Sequence, residues 1–113
     1  MKRPDILRRK EDFDDLFRKG RSAGSRYVVV ICLRNGLYNN RKAFLASKKV
    51  GNSVLRNRAR RLMKEAFRKT EADLPTGYDI LLIARNTITE AKCEDVRKSL
   101  DVAFKRAGLK DQR

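Results

Sequence analysis

The chain has 113 residues, with 29 Lys and Arg against 14 Asp and Glu and no histidine, so its formal net charge is +15. That length holds one domain with one core, which excludes multidomain enzymes and long repeat arrays, and that charge calls for a polyanionic partner. With no histidine and two cysteines, Cys32 and Cys93, neither a zinc site of the usual ligand count nor a histidine-based acid/base pair or triad is available. The contexts of the two cysteines favour reduced thiols over a disulfide. No apolar run approaches the roughly 18 residues of a membrane span, and the N-terminus leads into charge rather than a signal-peptide core, so the expected location is the cytoplasm.

Along the chain, Phe13, Leu16 and Phe17 at i, i+3, i+4 predict a short helix over residues 10–19, with Gly20 at the terminus where positive φ is tolerated. Tyr27 to Leu33 is apolar on both alternating faces and reads as an internal strand. Arg34-Asn35-Gly36 and Asn39-Asn40 mark a turn into a second strand around Arg41 to Val50, with the pair expected as a hairpin. Gly51-Asn52-Ser53 supplies a break and an N-cap before a helical pattern from about Val54 to Lys69. Pro75-Thr76-Gly77 precedes a strongly apolar third strand, Tyr78 to Ala84, suited to parallel pairing through that helix. Val96, Leu100, Ala103, Phe104 and Ala107 predict an amphipathic helix from about Glu90, stopped at Gly108. The order is α-β-β-α-β-α: one α+β domain over residues 1–113 with a small central sheet.

The charge is concentrated. Residues 41–69 hold eleven Lys and Arg and one acid, Glu65. At about 100° per residue the central helix sorts Leu55, Ala59, Leu62, Met63, Ala66 and Phe67 onto one arc, and Arg56, Asn57, Arg58, Arg60, Arg61, Lys64 and Arg68 onto the other. A helix that is merely soluble mixes signs to gain i,i+4 pairs, whereas here Arg56, Arg60 and Lys64 stand at i, i+4, i+8 and repel. An anionic partner accounts for that arrangement, and arginine forks suit phosphate oxygens. The helix needs its apolar arc for the core, which disfavours a membrane surface. Phe67 and Phe104 read as core. Phe13 and Phe17, on a short charged helix, fit either core packing or a cleft in which they stack on unpaired bases.

The run Ser47-Lys48-Lys49-Val50-Gly51-Asn52-Ser53-Val54-Leu55-Arg56-Asn57-Arg58-Ala59-Arg60-Arg61-Leu62-Met63-Lys64 closely resembles the signature of the bacterial ribonuclease P protein family, whose hallmark is an Arg-Asn-Arg type helix. Glu11-Asp12-Phe13 with Leu16-Phe17 and Gly20 resembles the family's first helix, Ile80 to Arg85 its last strand, and Ser99-Leu100 with Phe104 its closing helix. The resemblance implies a protein that assists an RNA enzyme. The RNA subunit, with Mg²⁺ held mainly by that RNA and the substrate, hydrolyses the bond that removes the 5′ leader of precursor tRNA, and the protein contributes no catalytic residue and no metal ligand of its own. It further implies that Arg56, Asn57, Arg58, Arg60, Arg61, Lys64 and Arg68 bind the catalytic RNA, that Phe13, Phe17, Lys48 and Lys49 bind the leader, and that a left-handed β-α-β crossover joins the parallel strands, against the usual hand.

Three positions depart from the family pattern. Ser53 and Ala59 stand where an apolar and a larger aliphatic residue are common, and Ile31 stands at a cleft-facing position where some relatives carry Tyr. A structural RNA-binding protein of ribosomal type is the alternative that shares the charge without needing a leader cleft. A DNA repressor ranks last, because Asn57 among arginines is too little for base readout.

Overall fold

The computed structural model describes residues 5–110, in the order α1 (Lys10–Lys19), β1 (Arg21–Gly24), β2 (Val28–Arg34), β3 (Arg41–Leu45), α2 (Ser53–Thr70), β4 (Tyr78–Ala84) and α3 (Cys93–Arg106). The ends of the expected 1–113 domain, residues 1–4 and 111–113, lie outside the described residues. The α+β order is the expected one with a strand added. The sequence of β1, Arg-Ser-Ala-Gly, has no β-branched residue and no alternation, and the strand exists by pairing antiparallel with β2.

The sheet order is β1-β2-β4-β3, which corrects the expected hairpin: β2 pairs antiparallel with β4, and β3 pairs with the far side of β4. Burial decides this. Ile80, Leu81 and Leu82 of β4 are fully buried and need cover on both faces, whereas β3 opens with Arg41 and Lys42 and suits an edge. The strand expected to reach Val50 ends at Leu45, and residues 48–50 form a turn.

The β3–β4 pairing is parallel, with α2 as the crossover. Its hand follows from β3. The Lys42 N–H donates to Asp5 O and its carbonyl accepts from Leu7 N–H, so both point away from β4. The Lys42 ammonium and the Phe44 ring meanwhile lie against Phe67 of α2. In a strand of L-residues seen with the chain rising and a side chain toward the viewer, that residue's N–H and C=O point right. With α2 in front, the Asp5–Leu7 segment is therefore to the right of β3 and β4 to its left. The chain rises, crosses in front and rises again on the left, which is the left-handed crossover that the resemblance implies.

The main core lies between the sheet and α2 and α3, where Val28, Val30, Ile80 and Leu82 meet Met63, Phe67, Leu100 and Phe104. Phe67 sits edge-on to both Phe44 (5.8 Å) and Phe104 (6.1 Å). A smaller cluster, Leu7, Leu16, Ile31, Ala43 and Leu81, lies on the opposite face under α1. An ion network ties this layer down. Asp79, within β4, accepts from Arg41 at 2.8 and 2.7 Å and from Asn35 at 3.0 Å, and Arg41 reaches Asp12 of α1 at 3.4 Å. The Asp79 carboxylate holds the Arg41 guanidinium above its usual pKa. Lys42 joins Asp5 at 2.9 Å to Glu71 at 3.2 Å. At the far end α3 stops as expected: Gly108 has φ 81°, and Leu109 N–H donates to Phe104 O.

Gly20 is required for a different reason from the one expected. Its φ is −70°, and the space is what is tight: a Cβ there would lie 2.4 Å from Leu16 O and 2.6 Å from Ile31 Cγ2. The lack of a side chain is what lets α1 close on the sheet. Gly20→Ala is expected to lower stability by about 1–3 kcal/mol through forced displacement of α1, measured by urea unfolding; an unchanged midpoint would refute this seating.

Candidate nucleic-acid interface

Helix α2 begins where Asn52 Oδ1 accepts from Leu55 N–H at 3.0 Å, and no acidic residue occupies its first turn. Ala59, Met63, Ala66, Phe67 and Thr70 are buried, with Leu55 and Leu62 packed at the margin, so the apolar arc is the expected one. The opposite arc faces outward. Asn57, Arg61, Lys64 and Arg68 are exposed, and Arg56, Arg58 and Arg60 are half-buried.

These seven residues divide by what they touch. Arg68 pairs with Glu65 at 2.5 Å, and Arg60 Nη1 donates to Asn57 Oδ1 at 2.7 Å. Arg56, Arg60, Arg61 and Lys64 form no ion pair among the described residues. The Nε of Arg56 is buried without a hydrogen-bond partner among the described residues. Arg58 is different. Its guanidinium donates to Ala91 O at 2.9 Å and Thr89 O at 3.4 Å, tying α2 to the turn before α3. Angular position on a helix wheel does not reveal that second task.

The face of the sheet that carries α1 is only partly covered. Past the Leu16 cluster, Val29 and Ile83 are half-buried and Leu45 is 38% exposed, an apolar strip across three strands. The side-chain alternation of β4 puts Arg85, just beyond its end, on this same face. Phe17 is 58% exposed on α1, whereas Phe13 packs against the Leu16 cluster and lines a groove of about 750 Å³ at the outer edge of β3. Ile31 does not face a cleft as the resemblance implies: it is 7% exposed, because Gly20 brings α1 down over it. Lys48 and Lys49 are exposed on the turn after β3, outside that groove. The edge groove itself, with Phe44 in its wall, has no counterpart in the sequence pattern. Its signal would be the strand order, which periodicity does not carry.

Both cysteines are free, and burial pushes the Cys32 thiol up to about 12. Among the described residues no group of three or more Cys, Asp and Glu stands together to hold a metal ion. No described helix is long and apolar enough to cross a membrane.

Comparison with known proteins agrees along nearly the whole chain. The family model Ribonuclease P matches residues 1–108. The ribonuclease P protein component of Pelotomaculum thermopropionicum is 39% identical over 109 residues, covering 96% of this chain and 97% of that one. That of Caldanaerobacter subterraneus is 34% identical over 107 residues, with 95% and 92% covered. The solved structure of the Staphylococcus aureus RNase P protein superposes with a TM-score of 0.83 at 29% identity, covering 95% of this chain and 98% of that one. For the RNase P protein from Thermotoga maritima the values are 0.79, 30%, 89% and 96%. With its basic α2 and mixed four-stranded sheet, the chain belongs to the ribonuclease P protein family, an accessory subunit that works with the ribonuclease P RNA in tRNA 5′-leader processing.

Proposed function

We propose that the outer arc of α2 seats on the ribonuclease P RNA while the α1 face of the sheet carries the single-stranded leader of precursor tRNA. The observation that carries this reading is the row Arg56, Arg60, Arg61 and Lys64, which lacks ion-pair partners among the described residues. Cations kept apart from carboxylates are free to replace counterions on RNA phosphates, and the gain comes from releasing those counterions. Bringing an RNA enzyme and an RNA substrate together sets two polyanions side by side, and a +15 protein between them lowers that repulsion. Single-stranded leader suits an apolar strip: its bases lie against Val29, Ile83 and Leu45, stack on Phe17 and Phe13, and its phosphates meet Lys48 and Lys49. Mg²⁺, held by the RNA subunit and the substrate, supplies the hydrolytic chemistry. The protein's residues bind and orient RNA, and the cytoplasm, where precursor tRNA is made, is the place for that work.

Arg61→Ala is expected to weaken RNA binding several-fold and to reduce the slope of log affinity against log salt by roughly 1, with unfolding unchanged. Arg58→Ala is expected to lose about 1–2 kcal/mol of stability as well, because its guanidinium bonds two carbonyls. Parallel salt titrations and thermal melts separate the two, and an unaltered slope for Arg61→Ala would remove α2 from the interface.

For the leader, Phe17→Ala in the reconstituted holoenzyme is expected to lower affinity for precursor tRNA by roughly fivefold or more while sparing mature tRNA, as loss of one base stack requires. Equal losses on both RNAs would place Phe17 elsewhere. Purified protein in Mg²⁺ without RNA is expected to leave precursor tRNA uncut, whereas adding it to a bacterial ribonuclease P RNA at low Mg²⁺ is expected to bring leader removal into range. Robust cleavage by the protein alone would overturn this division of labour.

A further inference from the structure

The groove at the outer edge of β3 adjoins the apolar strip assigned to the leader, sharing Leu45 and Phe13 with it, and differs in having Phe44 and α2 as its walls. Its floor is a sheet edge that is closed at one residue and open at the next. Lys42 uses both its N–H and its C=O on the Asp5–Leu7 segment. Two residues on, Phe44 turns its own N–H and C=O to the same side, since the ladder to β4 falls to Ala43 and Leu45 by the alternation of a strand. Among the described residues the free edge is thus one residue long. The opposite wall is α2, which contributes Arg60, Lys64 and Arg68, and Phe13 and Phe67 close the groove from the two faces of the sheet. At its lower end Asp5 and Glu71 both engage Lys42, so the cations of α2 dominate the rest of the groove.

An added peptide strand would need a run of free main-chain groups, and one residue does not supply it. A planar group with a donor and an acceptor on one edge and an anionic tether does fit. We propose that this groove binds one unpaired ribonucleotide, with the edge of its base paired to the Phe44 N–H and C=O, its faces between Phe13 and the half-buried Phe44 ring, and its phosphate on Arg60 and Lys64. A cavity of about 750 Å³ is of the size that holds one such group. Because α2 forms the wall, the source is an unpaired position of the ribonuclease P RNA; the leader is the other source of the same chemistry. The inference rests on the RNA-binding reading of α2.

The test is nucleotide-resolution 2′-hydroxyl acylation of a bacterial ribonuclease P RNA, alone and with precursor tRNA, bound to the full chain or to variants. Wild type is expected to protect one or two adjacent unpaired positions. Phe44→Leu and Arg60→Gln are expected to release them, Phe44→Tyr to keep them, and Phe44→Leu to raise the dissociation constant about tenfold, the size of one lost base stack. Release in the leader instead of the ribonuclease P RNA would identify the leader as the source. Should Phe44→Leu fail to fold, Arg60→Gln, on the helix exterior, decides alone. The proposal is overturned if no position differs between wild type and these variants while Arg61→Ala still weakens RNA binding, which would include the groove being filled by peptide or left empty. If wild type does not bind the RNA, the reading of α2 falls first and the groove with it.

Discussion

Helix α2 is anchored by the side it hides, and the rest of the molecule depends on that anchoring. Met63 and Phe67 are essentially unexposed, and burying such a side chain contributes about 1.5–3 kcal/mol, whereas a like-charged i,i+4 pair costs only a few tenths. Burial therefore wins, and the helix holds Arg56, Arg60 and Lys64 in series although no acid in its first turn relieves the positive end of the helix dipole. An isolated peptide of this sequence would lack that compensation. The fold leaves Arg56, Arg60 and Lys64 without carboxylate partners among the described residues.

The sheet solves a second problem, which is how to present α2 and α1 on opposite faces of four strands. The left-handed crossover puts α2 over the edge strand β3, with β4 inside. Asp79 is the charge this arrangement must bury, and a buried carboxylate is tolerable only when paired and hydrogen-bonded. Its partners, Arg41 and Asn35, come from the loop and strand that lead into the crossover, and Arg41 passes the connection on to Asp12 of α1. Lys42 does the same beside it, joining Asp5 to Glu71 at the end of α2. The acids near the sheet are thus occupied with architecture, and the excess positive charge is left on the outer arc of α2.

As an accessory subunit of an RNA enzyme, the protein has surfaces of more than one kind to offer its RNA partner. Its working surfaces differ in chemistry. The arc of α2 is a row of point charges and forks, the chemistry that suits phosphates, while the α1 face is apolar, the chemistry that suits bases. Between them, the single open residue at the β3 edge has both kinds of group within one groove.

The helices were legible because their signal is local. Residues 53–70 show their buried and charged arcs within a few turns, and the apolar spacing of α3 and the Gly108 stop need no distant partner. The charged arc of α2 was equally plain, as was the strongly apolar Tyr78–Ala84. What periodicity could not supply was who lies beside whom. Strand β1 has no pattern of its own, β4 displaces β3 from β2 because it has more apolar surface to cover, and the carbonyls that take Arg58 lie more than thirty residues away in the chain. The helix end calls for a glycine at Gly20, yet the role of that glycine comes from the approach of Ile31 on another element. Repeating order along the chain sets which residues are helical, which are extended and where charge accumulates, since those depend on neighbours three or four positions apart. Strand order, the burial of Ile31, the second task of Arg58 and the open edge at Phe44 arise only when elements compete for the same apolar space, a contest whose outcome depends on the whole chain at once.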